Sequence, residues 1–298
     1  QDVTMASANG HVKSTNDTNT EKSSSTKKDV ITEVNIDNIK ASYEKRIKSF
    51  VHKTAVLTCN AMSQKANEVA GRNDIKFFLK TENVQKIGAF KIRGAVNAVS
   101  LSDADVITTH SSGNHAQAIA LACQELKKKA IIVMPKDSPI SKVNAVRDTY
   151  KAEIRFCEPI QAARESLCEE VMAECDSKNL KSELIHPYDD KRVCCGQGSV
   201  ALELVEQAKE FGLEKFDAVI ISVGGGGLLG GCATVLKHYW PDCKVIAAEP
   251  QEASDCWESF YGQENAGKFD IQKTQAPLSS EKRLRANHAG KPKTIADS

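Results

Sequence analysis

Aromatic residues make up only 5% of the 298-residue chain, and neither sign of charge is in excess: 40 Lys and Arg stand against 39 Asp and Glu, a formal net charge of +1. The shortage of rings removes the platforms on which single-stranded nucleic acid stacks. The balanced charge removes the basic surplus that neutralises phosphates, so no nucleic-acid partner is expected. No CxxC pair occurs among the ten cysteines, which argues against a zinc ribbon or a thioredoxin-type dithiol. Several cysteines lie in apolar runs, such as Cys157 in EIRFCEP and Cys232 in GGCATVL, where a free thiol packs as a small hydrophobe. That usage suits a reducing, cytoplasmic compartment.

An apolar leader is also lacking. The first thirty residues are small and polar, so residues 1–33 read as a solvated tail rather than a signal peptide. One uncharged stretch, AVIISVGGGGLLGGCATVL at 218–236, approaches membrane-spanning length but holds six glycines. Each would weaken a continuous helix by about 1 kcal/mol, so the stretch reads as strand, glycine loop and helix, with no membrane span.

What is present is a 41% hydrophobic content, enough for a core, and an alternating pattern from residue 75 onward. Strands are predicted at 75–80, 105–112, 130–135, 152–159, 183–187, 217–224 and 244–250. Helices are predicted at 90–100, 114–126, 141–150, along a stretch ending near Ala173, and at 200–211 and 227–240. Repeated βα units of this kind predict an α/β protein with parallel sheet covered by helices. Ligands collect at the carboxyl ends of such strands. Three predicted strand ends carry unusual chemistry: HSSGNH, GGGG and EP.

Gly224 to Gly227 follow a strand and open a helix, so their backbone amides can turn toward one anion, with phosphate the natural occupant. The loop lacks GxxxxGK[ST], which argues against a P-loop NTPase, and it meets GxGxxG only through its density of glycine. Lys91, in GAFKIRGA, stands at a helix start, where the dipole favours the neutral amine that can form a Schiff base. Taken alone, the segment reads as an exposed helix lysine. THSSGNHAQA, residues 109–118, packs Ser, Asn and His into a strand-to-helix turn. These residues would serve either as caps or as an oxygen-rich pocket, and His115 reads as structural. No nucleophile–His–acid triad is legible.

GAFKIRGA, THSSGNHAQA, IHP, GQGSVALEL, VGGGGLLGG and AAEP follow one another in that order, with TIAD near the end. Together they resemble the fold type II pyridoxal phosphate enzymes, among them the serine racemases and the serine/threonine dehydratases. The likeness runs from about residue 35 to the end. It implies two domains: a large cofactor-binding one formed by 34–104 and 184–298, and a small one at 105–183. It implies that Lys91 carries the cofactor, that Phe90 packs beside its ring, and that Asn114 bonds its phenolic oxygen. Gly224, Gly225, Gly226 and Gly227 would hold its phosphate. Ser112 would be the second acid–base, across the substrate from Lys91. Ser111, Ser112, Gly113, Asn114 and His115 would line the substrate site.

The resemblance further implies Mg²⁺ or Ca²⁺ at Glu249, Asp255 and the carbonyl of Ala253, although spacing alone would leave two solvated carboxylates. It implies a small amino-acid substrate such as serine, racemised or eliminated to a keto acid and ammonia. A homodimer is implied, with ATP as an activator. A dehydratase without useful racemisation, and a non-catalytic paralogue that pairs with a full-length subunit, are the other readings.

The chain departs from the family pattern in several places. The Lys91–Ser111 interval is shorter than in serine racemases. Lys151 stands where a YGA turn has glycine, so a residue with a side chain must adopt a turn conformation. Tyr188 follows His-Pro where animal racemases carry Asn, and Cys194-Cys195-Gly196 replaces an Ala-Gly pattern. The family continues past TIAD, so the large domain is expected to be truncated on its C-terminal side.

Overall fold

VITTH is apolar or β-branched on both faces, and all five residues of the strand it forms are buried. A strand of this kind belongs inside a parallel sheet. The computed structural model describes residues 30–250 with 253, 254, 256 and 257. Its strands in chain order are β1 (Val56–Thr58), β2 (Phe78–Lys80), β3 (Val106–His110, the VITTH strand), β4 (Lys129–Pro135), β5 (Glu153–Cys157), β6 (Ser182–Leu184), β7 (Ala218–Ser222) and β8 (Lys244–Ala248). Four of them form a parallel sheet in the order β5-β4-β3-β6. Its crossovers are helices α4 (Asn114–Glu125), α5 (Ile140–Asn144) and α6 (Gln161–Ser177).

Alternation along the strands sorts the two faces. Ile107, Ile132 and Met134 join Ala116 and Ile119 of α4 in the main core. Val106 and Ile131 pack with Val171 and Cys175 of α6, and Val133 packs with Cys157 and Cys168. A second layer contains α1 (Ile36–Ser42), α3 (Lys91–Leu101), α7 (Lys191–Ala208) and α8 (Gly227–Tyr239), with β7 and β8 as a parallel pair. The helix α2 (Asn60–Ala70) joins β1 to β2, which pair antiparallel.

Helices α3 and α7 nearly touch, backbone to backbone. A Cβ at Gly94 would come within 2.5 Å of Gln197 Nε2, and one at Gly196 within 2.5 Å of the Gly94 Cα. Two glycines inside helices are destabilising locally, and the close crossing is what they permit. An ion cluster with no exposed surface at its centre ties the same helices together. Arg93 bonds Glu82 through Nε and Nη2, and Glu203 through Nη1 and Nη2, at 2.7–2.9 Å. Lys80 Nζ adds a contact to Glu203 Oε2 at 2.6 Å.

Most predicted elements are present, with three differences. The predicted strand at 75–80 contracts to β2 and is antiparallel to β1, a strand too short to give a readable alternation. The helix predicted at 200–211 starts at Lys191, because Gly196 and Gly198 look like helix breakers in sequence and act as packing residues in the fold. The helix predicted at 141–150 is α5 followed by a π-turn over Ala145–Thr149. Lys151 does take the turn conformation required of it, at φ 57°. Among the described residues no helix is long and apolar enough to cross a membrane, and the 218–236 stretch is β7, the glycine loop and α8.

Candidate active site

Lys91 is the first residue of α3, and its Nζ donates to the Pro187 carbonyl oxygen at 2.9 Å. Nζ also lies 5.5 Å from the centre of the Phe90 ring. Loss of water around the amine pushes its pKa down to about 8. The reading of an exposed helix lysine is therefore overturned. Withdrawal from solvent is the cause of the depressed pKa. At pH 7 about a tenth of such an amine is neutral, against a few parts in ten thousand for a free lysine.

The segment that accepts the Lys91 hydrogen bond also touches the glycine loop. A Cβ on Gly225 would run into the ring of Tyr188, and one on Gly227 would sit 3.5 Å from the Tyr188 Cα. Gly225 is bare because Tyr188 lies against it. Gly226 has φ 81°, a left-handed conformation open to glycine. Cβ atoms on Gly224 and Gly226 would meet nothing within 4 Å, so the loop faces open space there. Edge-to-face contacts continue the assembly from Tyr188 to His186 at 4.6 Å and from His186 to His110 at 5.5 Å.

The SSGNH turn begins where β3 ends. Gly113 N donates to Ser111 Oγ at 3.2 Å, and Ser111 N to the Val133 carbonyl at 3.1 Å. Ser112 Oγ has no hydrogen-bond partner among the described residues. Asn114 opens α4, and its Oδ1 accepts from Lys142 Nζ at 2.7 Å. His115 is 2% exposed and lies 3.4 Å through Nε2 from the Ile185 carbonyl, with Nδ1 unpartnered among the described residues. Burial, and secondarily the charge of Lys91, hold its pKa well below the usual histidine value. That placement suits a neutral side chain beneath the site.

Two of the three expected cation ligands, Glu249 and Ala253, lie among the described residues. Glu249 Oε2 accepts from Cys256 N at 3.1 Å and Oε1 from Trp257 N at 2.7 Å, which makes this carboxylate a backbone cap. Asp255 lies outside the described residues, and no group of three or more His, Cys, Asp or Glu is placed to hold a metal among them.

The family model described as pyridoxal-phosphate dependent enzyme matches residues 47–291. The chain belongs to that family. It is 39% identical to a serine racemase of Dictyostelium discoideum over 89% of this chain and 71% of that protein. It is 42% identical to a serine racemase of Arabidopsis thaliana over 72% of this chain and 60% of that one. The chain thus spans only part of the length of the relatives it matches. The fold is similar to that of a solved threonine deaminase from T.th., with TM-score 0.64 and 37% identity over 74% of this chain and 67% of that one.

The residues present fit the family's cofactor. Among the described residues no carbonyl accepts from the N–H groups of Gly224, Gly225 or Gly226. They stand at the start of a thirteen-residue helix, α8, whose first amides are free by construction. Unsatisfied donors at a helix start are what a phosphate needs, and a partly neutral amine is what an aldehyde needs. Three participants escape the sequence reading: the Pro187 carbonyl, the Tyr188 ring as the cover of Gly225, and Lys142 beside Asn114. None belongs to a motif whose spacing reveals its partner, because each contact joins separate parts of the chain.

Proposed function

We propose that this chain carries pyridoxal 5′-phosphate on Lys91 and acts on the Cα proton of serine or a similar small amino acid. The observation that carries the reading is the Lys91 amine, withdrawn from water with its pKa lowered to about 8. When bound, the cofactor supplies an electron sink for negative charge at Cα. The amides of Gly224–Gly227 bind its phosphate, Asn114 holds its phenolic oxygen, and Phe90 packs beside its ring. Ser111 and Gly113 border the substrate carboxylate.

The partly neutral Lys91 amine would hold the cofactor and, when the substrate amine takes its place, would hold or return the proton at Cα. Ser112 gives or takes the proton on the other face. A proton removed on one face and returned on the other inverts the centre. Loss of the β-hydroxyl as water, followed by uptake of one water, leaves a keto acid and ammonia. Relatives described as serine racemases support the first outcome. Elimination without useful racemisation is the second reading. It is favoured by Tyr188, which packs on the glycine loop where animal racemases carry Asn, and by the threonine deaminase neighbour. A homodimer, and activation by ATP or a divalent cation, belong to the same proposal.

The test supplies purified protein with pyridoxal phosphate and then L-serine, following absorbance, D-serine and keto acid. A visible band with both products supports the proposal, and keto acid alone supports the second reading. A colourless protein with neither product overturns both.

A further inference from the structure

The carboxyl ends of β3 and β4 lie side by side, with His110 paired to Val133. That register brings α5, which follows β4, up to the start of α4, which follows β3. Across this junction Lys142 Nζ donates to Asn114 Oδ1 at 2.7 Å. An ammonium group has donors and no acceptor, so it can meet only the oxygen end of the amide. The contact removes the usual ambiguity between the two ends of an asparagine side chain. Nδ2 is turned the opposite way, and its two N–H groups have no partner among the described residues. Two fixed fields act at that point: the charge of Lys142 and the amino end of twelve-residue α4. Both favour an anionic oxygen.

We propose that Lys142 is a positioning residue that fixes the Asn114 amide with Nδ2 presented to an anionic oxygen of the ligand. The inference deepens the function proposed above and rests on it, the oxygen being the phenolic oxygen of pyridoxal phosphate. Lys142 acts through Asn114 and does not itself touch the ligand. Nothing in SPISKVNAV marks this lysine; it is visible only because the fold brings residue 142 to residue 114.

Two probes separate this role from a general structural one: pyridoxal 5′-phosphate and its 3-deoxy analogue, which lacks the phenolic oxygen. Dissociation constants are measured for the full chain and for Lys142→Met, Asn114→Ala and the double variant. The full chain is expected to prefer pyridoxal phosphate over the analogue by about tenfold or more. Lys142→Met is expected to lose most of that preference while binding the analogue as before, and to have no further effect on Asn114→Ala. Lys142→Gln carries the same test if the methionine variant does not fold. A preference that survives loss of the charge, or equal weakening toward both probes, overturns the inference while leaving the cofactor reading intact. A full chain that takes up neither probe overturns the cofactor reading and this inference with it.

Discussion

Arg93 Nη1 lies 2.8 Å from Glu203 Oε1, and neither side chain has any exposed surface. The pair joins α3 to α7 two residues beyond Lys91, with Glu82 and Lys80 completing the cluster at its edge. Two cations and two anions balance, and each charge needs its partners to remain ionised away from water.

Removing one partner strands another. Arg93→Met leaves two carboxylates facing one lysine, and Glu203→Gln leaves two cations facing one carboxylate. Each substitution is expected to lower stability by about 3–5 kcal/mol in a denaturant titration. A loss below about 1 kcal/mol would mean that the cluster is hydrated in solution.

Gly225→Ala places a methyl group in the Tyr188 ring. Overpacking of this kind costs about 1–3 kcal/mol, and uptake of pyridoxal phosphate should fall with it. Tyr188→Ala makes room, so the double variant should recover affinity relative to Gly225→Ala alone. Additive losses in the two variants would remove Tyr188 as the reason Gly225 is bare.

The depressed pKa of Lys91 has two consequences with pH. The unfolded chain binds the Lys91 proton up to about 10.4 and the folded chain only up to about 8. Between those values the unfolded state holds more protons, so this residue's contribution to stability rises with pH and is flat below about 8. At pH 7 the burden is about 3 kcal/mol, and Lys91→Met should be more stable than the parent there, with the gap closing above about pH 10. The same titration sets reactivity: the rate of colour formation with pyridoxal phosphate should climb through about pH 8 and level off. A rate still rising steeply at about pH 10, where a free lysine titrates, would contradict the lowered value.

Ser112→Ala should separate two outcomes of one site. Loss of a positioned acid–base group typically lowers a rate by about 10²–10⁴. That loss is expected in the kcat/KM of serine racemisation, equally in the two directions because the enantiomers are equal in free energy, while colour formation through Lys91 persists. Undiminished racemisation in both directions would remove Ser112 from the scheme.

The long periodic elements are legible because their patterns are local. VITTH and AIIVMP declare a parallel core through continuous β-branched runs, and α4 declares itself by alanine-rich periodicity. The first half of α7 is hidden by Gly196 and Gly198, which cannot be distinguished from loop residues until Gly94 and Gly231 are seen against them. Within the site, Lys91 and the glycine loop stand out by residue type and position. What chain order does not convey is environment: that water is withdrawn from Lys91, that Gly225 is bare for the sake of Tyr188, and that the carboxylate of Glu249 caps two backbone amides.

The β7–β8 pair has a consequence for hydrogen exchange. Among the described residues these strands pair only with each other, and Ile220 and Ile246 remain 56% and 44% exposed. Parallel strands are ordinarily sandwiched, and an open margin of unpaired peptide groups recruits whatever extended chain it meets. Any extended segment that pairs with this margin, from this chain or another, would register as slowed hydrogen exchange along 218–222 and 244–248.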